Sequence, residues 1–265
     1  MKEKFLKKHA NKTLTQDIKR KTAHLVLFIV LICGAAGYEA IYYSIYGFRA
    51  DIYPSFAWEY REGPFWFFRI VEDFNNYPRV SIFHLYFLCI FFMAGYLFIM
   101  FETVRHSKIF YLPLDRIAFF MFREEEFDSL ATYFEFFLAV SVSAFVLPPL
   151  LGFAIVGISC IGDLMASQCG IRWGKRHIRF NPKKTWVGTI AGTVSSFLIT
   201  SIFAGNLYGF LAALVFMIID IVTEKPVPIS DNLLLPICET TLFIILNLLG
   251  VQYQFPEWLP FIFTI

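Results

Sequence analysis

Apolar residues in this chain are gathered into long runs that polar connections separate. Seven of these runs reach or approach the roughly 20 residues that an α-helix needs to cross a membrane. The pair Pro148-Pro149 stands between the third and fourth runs, and because proline cannot continue a helix it predicts a tight turn there. The predicted spans cover residues 23–44, 80–101, 130–147, 149–167, 186–204, 207–223 and 233–250.

Lysines and arginines are concentrated in alternate connections, and this asymmetry predicts the orientation of the spans. Nineteen of the 23 lie in the tail 1–22 and in the connections that would share its side. Because basic residues collect on the cytoplasmic side, we predict a basic cytoplasmic tail, 1–22, and a single membrane domain, 23–265. The connection 45–79 mixes aromatic residues with charges, which is typical of an interfacial segment, although a lid over a lipid substrate is an alternative.

The composition agrees with a membrane protein. The 265 residues are 57% hydrophobic and 17% charged, whereas ordinary soluble domains are about 25% charged. A soluble protein of this length could not bury so much apolar surface, so a soluble globule and a disordered chain are excluded. The net charge of +2 gives no reason to expect a nucleic-acid partner. The predicted fold class is all-α, a multi-pass integral membrane protein with about seven transmembrane helices and a cytoplasmic N-terminus.

The densest polar segment, 162–189, connects two predicted spans on the cytoplasmic side. A carboxylate is costly inside a membrane, so Asp163 indicates function; it suits Mg²⁺, which binds one or two carboxylates together with substrate phosphates. Two adjacent lysines precede a helix that Thr185 can cap, and this arrangement suits a polyphosphate. Alternatively, the basic residues only fix the orientation of the spans. These basic residues are Arg172, Lys175, Arg176, Lys183 and Lys184.

Two further polar clusters are predicted on the same side of the membrane. The connection 224–232 contains Glu224 and Asp231, although Ser230 or Asp231 could simply cap the helix that follows. At the start of the first span, Arg20 and His24 are four residues apart and therefore share one helix face. A lone histidine at such a position is more often structural. The placement of three clusters on one side favours a cytoplasmic functional site.

These segments resemble a superfamily of CTP-dependent membrane enzymes, the phosphatidate cytidylyltransferases and the dolichol, phytol and polyprenol kinases. The nucleotide signature shared by both branches is similar to Gly162-Asp163-x-x-Ala166, Gly170, Gly174-Lys175 and Asn181-Pro182-Lys183-Lys184-Thr185-Trp186-x-Gly188-Thr189. The kinase branch is favoured by Arg20-Lys21-x-x-His24 and by Glu224 followed by Asp231-Asn232-Leu233 and Pro236. The cytidylyltransferase branch instead has a His-Gly-Gly element near its end, and no histidine follows His177 here.

The resemblance implies phosphoryl transfer from CTP to a membrane lipid alcohol at the cytoplasmic face, with Mg²⁺ as the cofactor. Asp163 and Asp231 would hold the metal. The residues implied as catalytic are Asp163, Lys184, Asp231 and Asn232. Those implied as nucleotide-binding are Arg172, Lys175, Lys183, Thr185 and Gly188, with Lys21, His24 and Glu224 in support.

Two other functions stay open at this point. Cytidylyl transfer to phosphatidate or another lipid phosphate would use the same fold and nucleotide signature. A small ion-coupled transporter would use the intramembrane acids as ion sites, but such sites lie near the membrane midplane, whereas the polar clusters here are predicted at one face. The sequence does not decide between a monomer and a homodimer.

Overall fold

The computed structural model describes residues 18, 21–22, 25–34, 37, 93, 95–97, 99–100, 103, 132–147, 149–223 and 229–253. Three of its helical stretches are long and apolar enough to cross a membrane, namely Leu150–Trp173, Trp186–Ala204 and Asp231–Leu248. Shorter apolar helices cover Leu25–Gly34, Glu135–Val146 and Asn206–Val222. The predictions of mainly helical structure and of apolar helices that could cross a membrane are confirmed in this form. The count of seven spans and the cytoplasmic N-terminus stay predictions.

Six helices cover continuous ranges of the described residues, and further helical residues lie between 93 and 103. In chain order, α1 is Leu25–Gly34, α2 is Thr132–Val146, α3 covers 149–173, α4 is Trp186–Ala204, α5 is Asn206–Val222 and α6 is Asp231–Leu248. Helix α3 joins Pro149–Gly157, one π-helical turn at Ile158–Gly162, and Asp163–Trp173. It begins at a proline, which is tolerated at the first helical position because no intrahelical partner is needed there.

Helix α3 and the segment after it differ from the sequence prediction. The helix continues to Trp173 instead of ending near residue 167, because a hydropathy pattern marks the end of an apolar run and not the end of a helix. Two antiparallel strands follow, β1 at His177–Ile178 and β2 at Asn181–Thr185. The prediction of an all-α fold misses this hairpin, because its lysine-rich second strand has no alternating apolar pattern.

The helices pack around an aromatic core. Helix α4 packs against α3 and α5, while α6 contacts α2 and α5. Phe136, Phe153 and Phe243 are almost fully buried between these helices. Gly205 joins α4 to α5 with φ 88°, a left-handed conformation that favours glycine. The tight turn makes α4 and α5 antiparallel neighbours, so the start of α4 and the end of α5 meet at one end of the bundle.

The outer surface of the bundle is also apolar. On α4, the exposed residues Ile190, Val194 and Leu198 follow one another at four-residue spacing and form a stripe along the helix. An exposed apolar stripe is unfavourable in water and suits contact with lipid chains. The outer face of α4 therefore agrees with its length and composition in indicating a membrane span.

Candidate functional site

Three carboxylates from three helices lie close together at the end of the bundle that carries the hairpin. They are Asp163 in α3, Asp220 in the last turn of α5 and Asp231 at the first position of α6. Lys184 of β2 lies between two of them, with its Nζ 2.8 Å from Asp220 Oδ1 and 3.0 Å from Asp231 Oδ2. The structure thus brings two predicted catalytic residues, Lys184 and Asp231, into direct contact.

Buried Asn181 fixes the position of β2. Its side-chain Nδ2 donates hydrogen bonds to the backbone oxygens of Ile221, at 2.9 Å, and Thr223, at 2.8 Å. Both oxygens belong to the carboxyl end of α5, whose last carbonyls have no partner within the helix. The strand is therefore attached to the end of α5, and Lys184, three residues further along, reaches Asp220 in that helix.

Asp220 is held on both of its carboxylate oxygens. Thr189 Oγ1 donates a 2.6 Å hydrogen bond to Asp220 Oδ2, and Lys184 contacts Oδ1. Burial lowers the pKa of Lys184, but the Asp231 and Asp220 carboxylates outweigh burial and raise that pKa above its usual range. Lys184 is therefore a permanent positive charge at neutral pH.

A second lysine pairs with the third carboxylate. The Lys21 Nζ forms an ion pair with Asp163 and donates a 3.1 Å hydrogen bond to the Asp163 backbone oxygen. Both residues are buried. Asp163 directly follows the π-helical turn of α3, and such turns are frequent at functional sites. The pairing joins the segment before α1 to the site and brings a predicted supporting residue to a predicted catalytic one.

A small cavity lies among these carboxylates. Its volume of about 10 Å³ holds about one water molecule. The cavity itself is therefore too small to hold a nucleotide. Its polar wall consists of Ser159, Asp163, Asp220, Asp231 and Asn232, and its apolar wall of Phe216, Ile219 and Leu235.

Two of the predicted nucleotide-binding residues have structural roles. Thr185 caps α4, since its Oγ1 accepts a hydrogen bond from the Gly188 N–H at 3.2 Å. Gly188 packs against α3, where an added Cβ would lie 2.5 Å from the Ala166 backbone oxygen and 3.1 Å from the Gly170 Cα. Close packing of α3 against α4 therefore requires glycine at this position. Binding of nucleotide by either residue stays a prediction.

The other predicted residues are divided between buried and exposed positions. Asn232 is buried beside the cavity, and its N–H donates to the Ser230 Oγ that caps α6. The basic side chains of Arg172, Lys175 and Lys183 are exposed on the hairpin and the end of α3. The predicted residues and segments outside the described part of the chain are His24, Glu224 and the connection 45–79.

The structure adds three residues to the site that the sequence did not assign to it: Asn181, Thr189 and Asp220. The signal for Asp220 was its charge within an apolar run, because an acid in a membrane span is functional by default. Thr189 and Asn181 stood within the nucleotide signature without individual roles. Their contacts with α5 join residues more than 30 positions apart, which local patterns do not reveal.

The carboxylates suit a cation whose remaining coordination positions are filled by a substrate. Within the described ranges, no three His, Cys, Asp or Glu side chains form a ready-made metal cage. Mg²⁺ does not need one, because it keeps waters and binds one or two carboxylates with substrate phosphates. Asp220 and Asp231 face the same Lys184 nitrogen, so their oxygens can serve one cation between them.

Comparison with known proteins gives one short similarity. Over 61 residues, 22% of this chain, it is 39% identical to a phytol kinase of Synechocystis sp.. The matched segment is 26% of that protein's length, so the similarity bears on that segment alone. No family model matches the chain, and no solved structure matches it. The similarity supports a relationship with a kinase-type transferase.

Proposed function

We propose that this protein is a CTP-dependent kinase that phosphorylates a membrane lipid alcohol of the polyprenol, dolichol or phytol type. The observation that carries the proposal is the Lys184 ammonium held by Asp220 and Asp231 at the end of a helical bundle. This combination of one fixed cation and two hard oxygen ligands suits a nucleotide polyphosphate with its metal. The short similarity to a phytol kinase supports the same class of reaction.

Asp220 and Asp231 would hold Mg²⁺, with Asp163 as a further carboxylate ligand once Lys21 has moved away. When bound, the metal supplies positive charge to the phosphate oxygens of the nucleotide. Lys184, released from the carboxylates, would then contact those same oxygens as a point charge. Lys183, exposed on the same strand, would bind phosphate oxygens further from the cavity.

The reaction forms a bond between the alcohol oxygen of the lipid and the γ-phosphorus of CTP. The bond from that phosphorus to the β–γ bridging oxygen breaks, and CDP leaves. The alcohol proton passes to a carboxylate, either Asp163 or Asp231. Catalysis of this kind depends mainly on positioning and on stabilising charge, which are the two properties that the cluster supplies.

The lipid would approach from the membrane. The apolar wall of the cavity, formed by Phe216, Ile219 and Leu235, belongs to the apolar helices α5 and α6, and α6 is long enough to cross a membrane. A lipid tail lying along these helices would place its hydroxyl beside Asp163 and Asp231. The excess of lysine and arginine on one side of the predicted spans supports a cytoplasmic position for this site.

The alternative reaction is cytidylyl transfer, in which a lipid phosphate attacks the α-phosphorus and pyrophosphate leaves. One experiment separates the two. The purified protein in lipid is incubated with Mg²⁺, extracted lipids, and CTP labelled on either the α or the γ phosphate. We expect the γ label in the lipid product. Transfer of the α label would replace the kinase with a cytidylyltransferase, and transfer of neither label would refute both.

Matched variants connect the activity to the site. Asp220→Asn keeps the size of the side chain but removes the charge that contacts Lys184, and we expect transfer to fall by at least about 100-fold. Thr241→Val serves as the control, since Thr241 is exposed on α6 and bonds only within its own helix, to the Ile237 oxygen. Equal activity in Asp220→Asn and the control would contradict the assignment of the site.

A further inference from the structure

The hairpin and the helix ends beside it expose large aromatic side chains. Trp173 is 62% exposed, Phe180 56% and Trp186 46%. Ile178, at the end of β1, is by contrast almost fully buried. The hairpin therefore has an inner side, which contacts the bundle, and an outer side, which carries aromatic rings and has no covering element among the described residues.

Two of the exposed aromatics lie at the ends of helices that could cross a membrane. Trp173 is the last residue of α3 and Trp186 is the first residue of α4, and both helices are long and apolar enough to span the membrane. Residues that end two neighbouring spans lie where the chain leaves the hydrocarbon, which is where tryptophan is enriched in membrane proteins. Phe180, in the turn between β1 and β2, is close to this level because the hairpin is short.

Among the described residues, the hairpin and the helix ends beside it expose basic side chains and no acidic ones. Arg172, Lys175, Arg176 and Arg179 are all exposed, and none forms an ion pair within the part of the chain that the structure describes. The sequence contains no Asp or Glu between Asp163 and Asp220. These four cations differ in this respect from Lys21 and Lys184, which are paired with the carboxylates of the cavity.

We infer that the outer side of the hairpin binds the phosphate groups of anionic membrane lipids. Arg176 and Arg179 would contact the phosphates, while Trp173, Phe180 and Trp186 lie among the headgroups. Exposed aromatic rings and unpaired cations at the same depth suit the headgroup region of a lipid surface. A nucleotide alone would leave these aromatic rings in water. The inference is independent of the proposed kinase activity.

The experiment measures tryptophan fluorescence in vesicles of phosphatidylcholine that contain a minor fraction of brominated lipid. The brominated chains are carried either by phosphatidylglycerol, which is anionic, or by phosphatidylcholine at the same fraction. Bromine quenches nearby tryptophan, and subtraction of the Trp186→Phe signal isolates the reporter at the start of α4. Each cation near the surface favours anionic lipid by about fivefold. We therefore expect several-fold stronger quenching by brominated phosphatidylglycerol, and we expect high salt to weaken this excess.

Two double variants test the role of charge. Arg176→Gln with Arg179→Gln should remove the excess quenching by the anionic lipid, whereas Arg176→Lys with Arg179→Lys should retain it. Both positions are exposed, and an unchanged unfolding temperature will show that the Gln variant is folded. Equal quenching by the two brominated lipids in the unmodified protein would overturn the inference, as would the absence of quenching by either. Loss of the excess when CTP is added would also overturn it, since these cations would then serve a free phosphate.

Discussion

Replacing Lys184 with methionine removes the charge between Asp220 and Asp231 but keeps most of the side-chain volume. The Lys184 side chain is 17% exposed, that of Asp220 6% and that of Asp231 22%. Removing one partner of a buried ion pair costs about 3–5 kcal/mol, because the remaining charge is left uncompensated. Because these three side chains are partly exposed, the cost of Lys184→Met should lie at the lower end of this range. We therefore expect a loss of about 3 kcal/mol in the free energy of unfolding.

Mg²⁺ should reverse part of this loss. Without the lysine, the two carboxylates have no competing cation, and a divalent ion that binds only the folded protein stabilises it by about 2.7 kcal/mol at 100 times its dissociation constant. The assay is the unfolding temperature in detergent, measured as MgCl₂ is increased. We expect a larger Mg²⁺-dependent rise in unfolding temperature for Lys184→Met than for the unmodified protein, while the proposed phosphoryl transfer should be at least about 100-fold slower in the variant.

Lys175→Met is the matched control, since Lys175 is an exposed lysine between α3 and β1 that forms no ion pair among the described residues. It should keep the stability and the Mg²⁺ response of the unmodified protein. If Lys175→Met and Lys184→Met lose the same stability, the ion pairs with Asp220 and Asp231 do not explain the effect. If Mg²⁺ stabilises Lys184→Met no more than the unmodified protein, the two carboxylates do not form a cation site.

Three further predictions concern the same end of the bundle. The folded-state pKa of Lys184 is raised, so the stability that its ion pairs contribute is complete below about pH 10.5 and is lost only as pH rises through the higher folded-state pKa. The difference in unfolding temperature between the unmodified protein and Lys184→Met should therefore narrow only above pH 10.5. Gly188→Ala should cost about 1–3 kcal/mol through overpacking, measured by denaturant unfolding, whereas Gly95→Ala, whose Cβ would meet its nearest atom at 3.6 Å, should cost much less. Asn181→Ala leaves two backbone oxygens without their side-chain donor, so we expect the free energy of unfolding to fall by about 2 kcal/mol and trypsin to cleave the hairpin faster. Unchanged cleavage would contradict the anchoring role of Asn181.

The sequence predicts the ends of a helix best where an apolar run lies between residues that cap or end helices. The predicted span 186–204 coincides with Trp186–Ala204, because Thr185 caps one end and Gly205 ends the other. The sequence prediction fails after residue 167, where α3 continues through polar residues and a lysine-rich strand follows. Both of these elements are stabilised by contacts with α4 and α5, which no window of neighbouring residues contains.

The site was predictable where a single residue is unfavourable in its position, as a carboxylate is at the end of an apolar span. Asp163 and Asp231 were identified as candidates because an acid at the end of a membrane span is expensive. The partners of these acids were not predictable, since Lys21 contacts Asp163 across 142 positions and Lys184 contacts Asp220 across 36. Sequence spacing gives the residue types of the site, whereas the turn at Gly205 and the hairpin decide which of them meet.

Helix α6 contains Pro236 one turn after Asn232. Proline has no amide hydrogen, so the Asn232 carbonyl lacks the backbone donor that it would have in a regular helix. The first turn of α6 is therefore held less by the helix than by the Ser230 cap and by the ion pair between Asp231 and Lys184. A ligand that broke this ion pair would therefore loosen the first turn of α6 before the rest of the helix, and the free energy of that opening would be confined to a few residues.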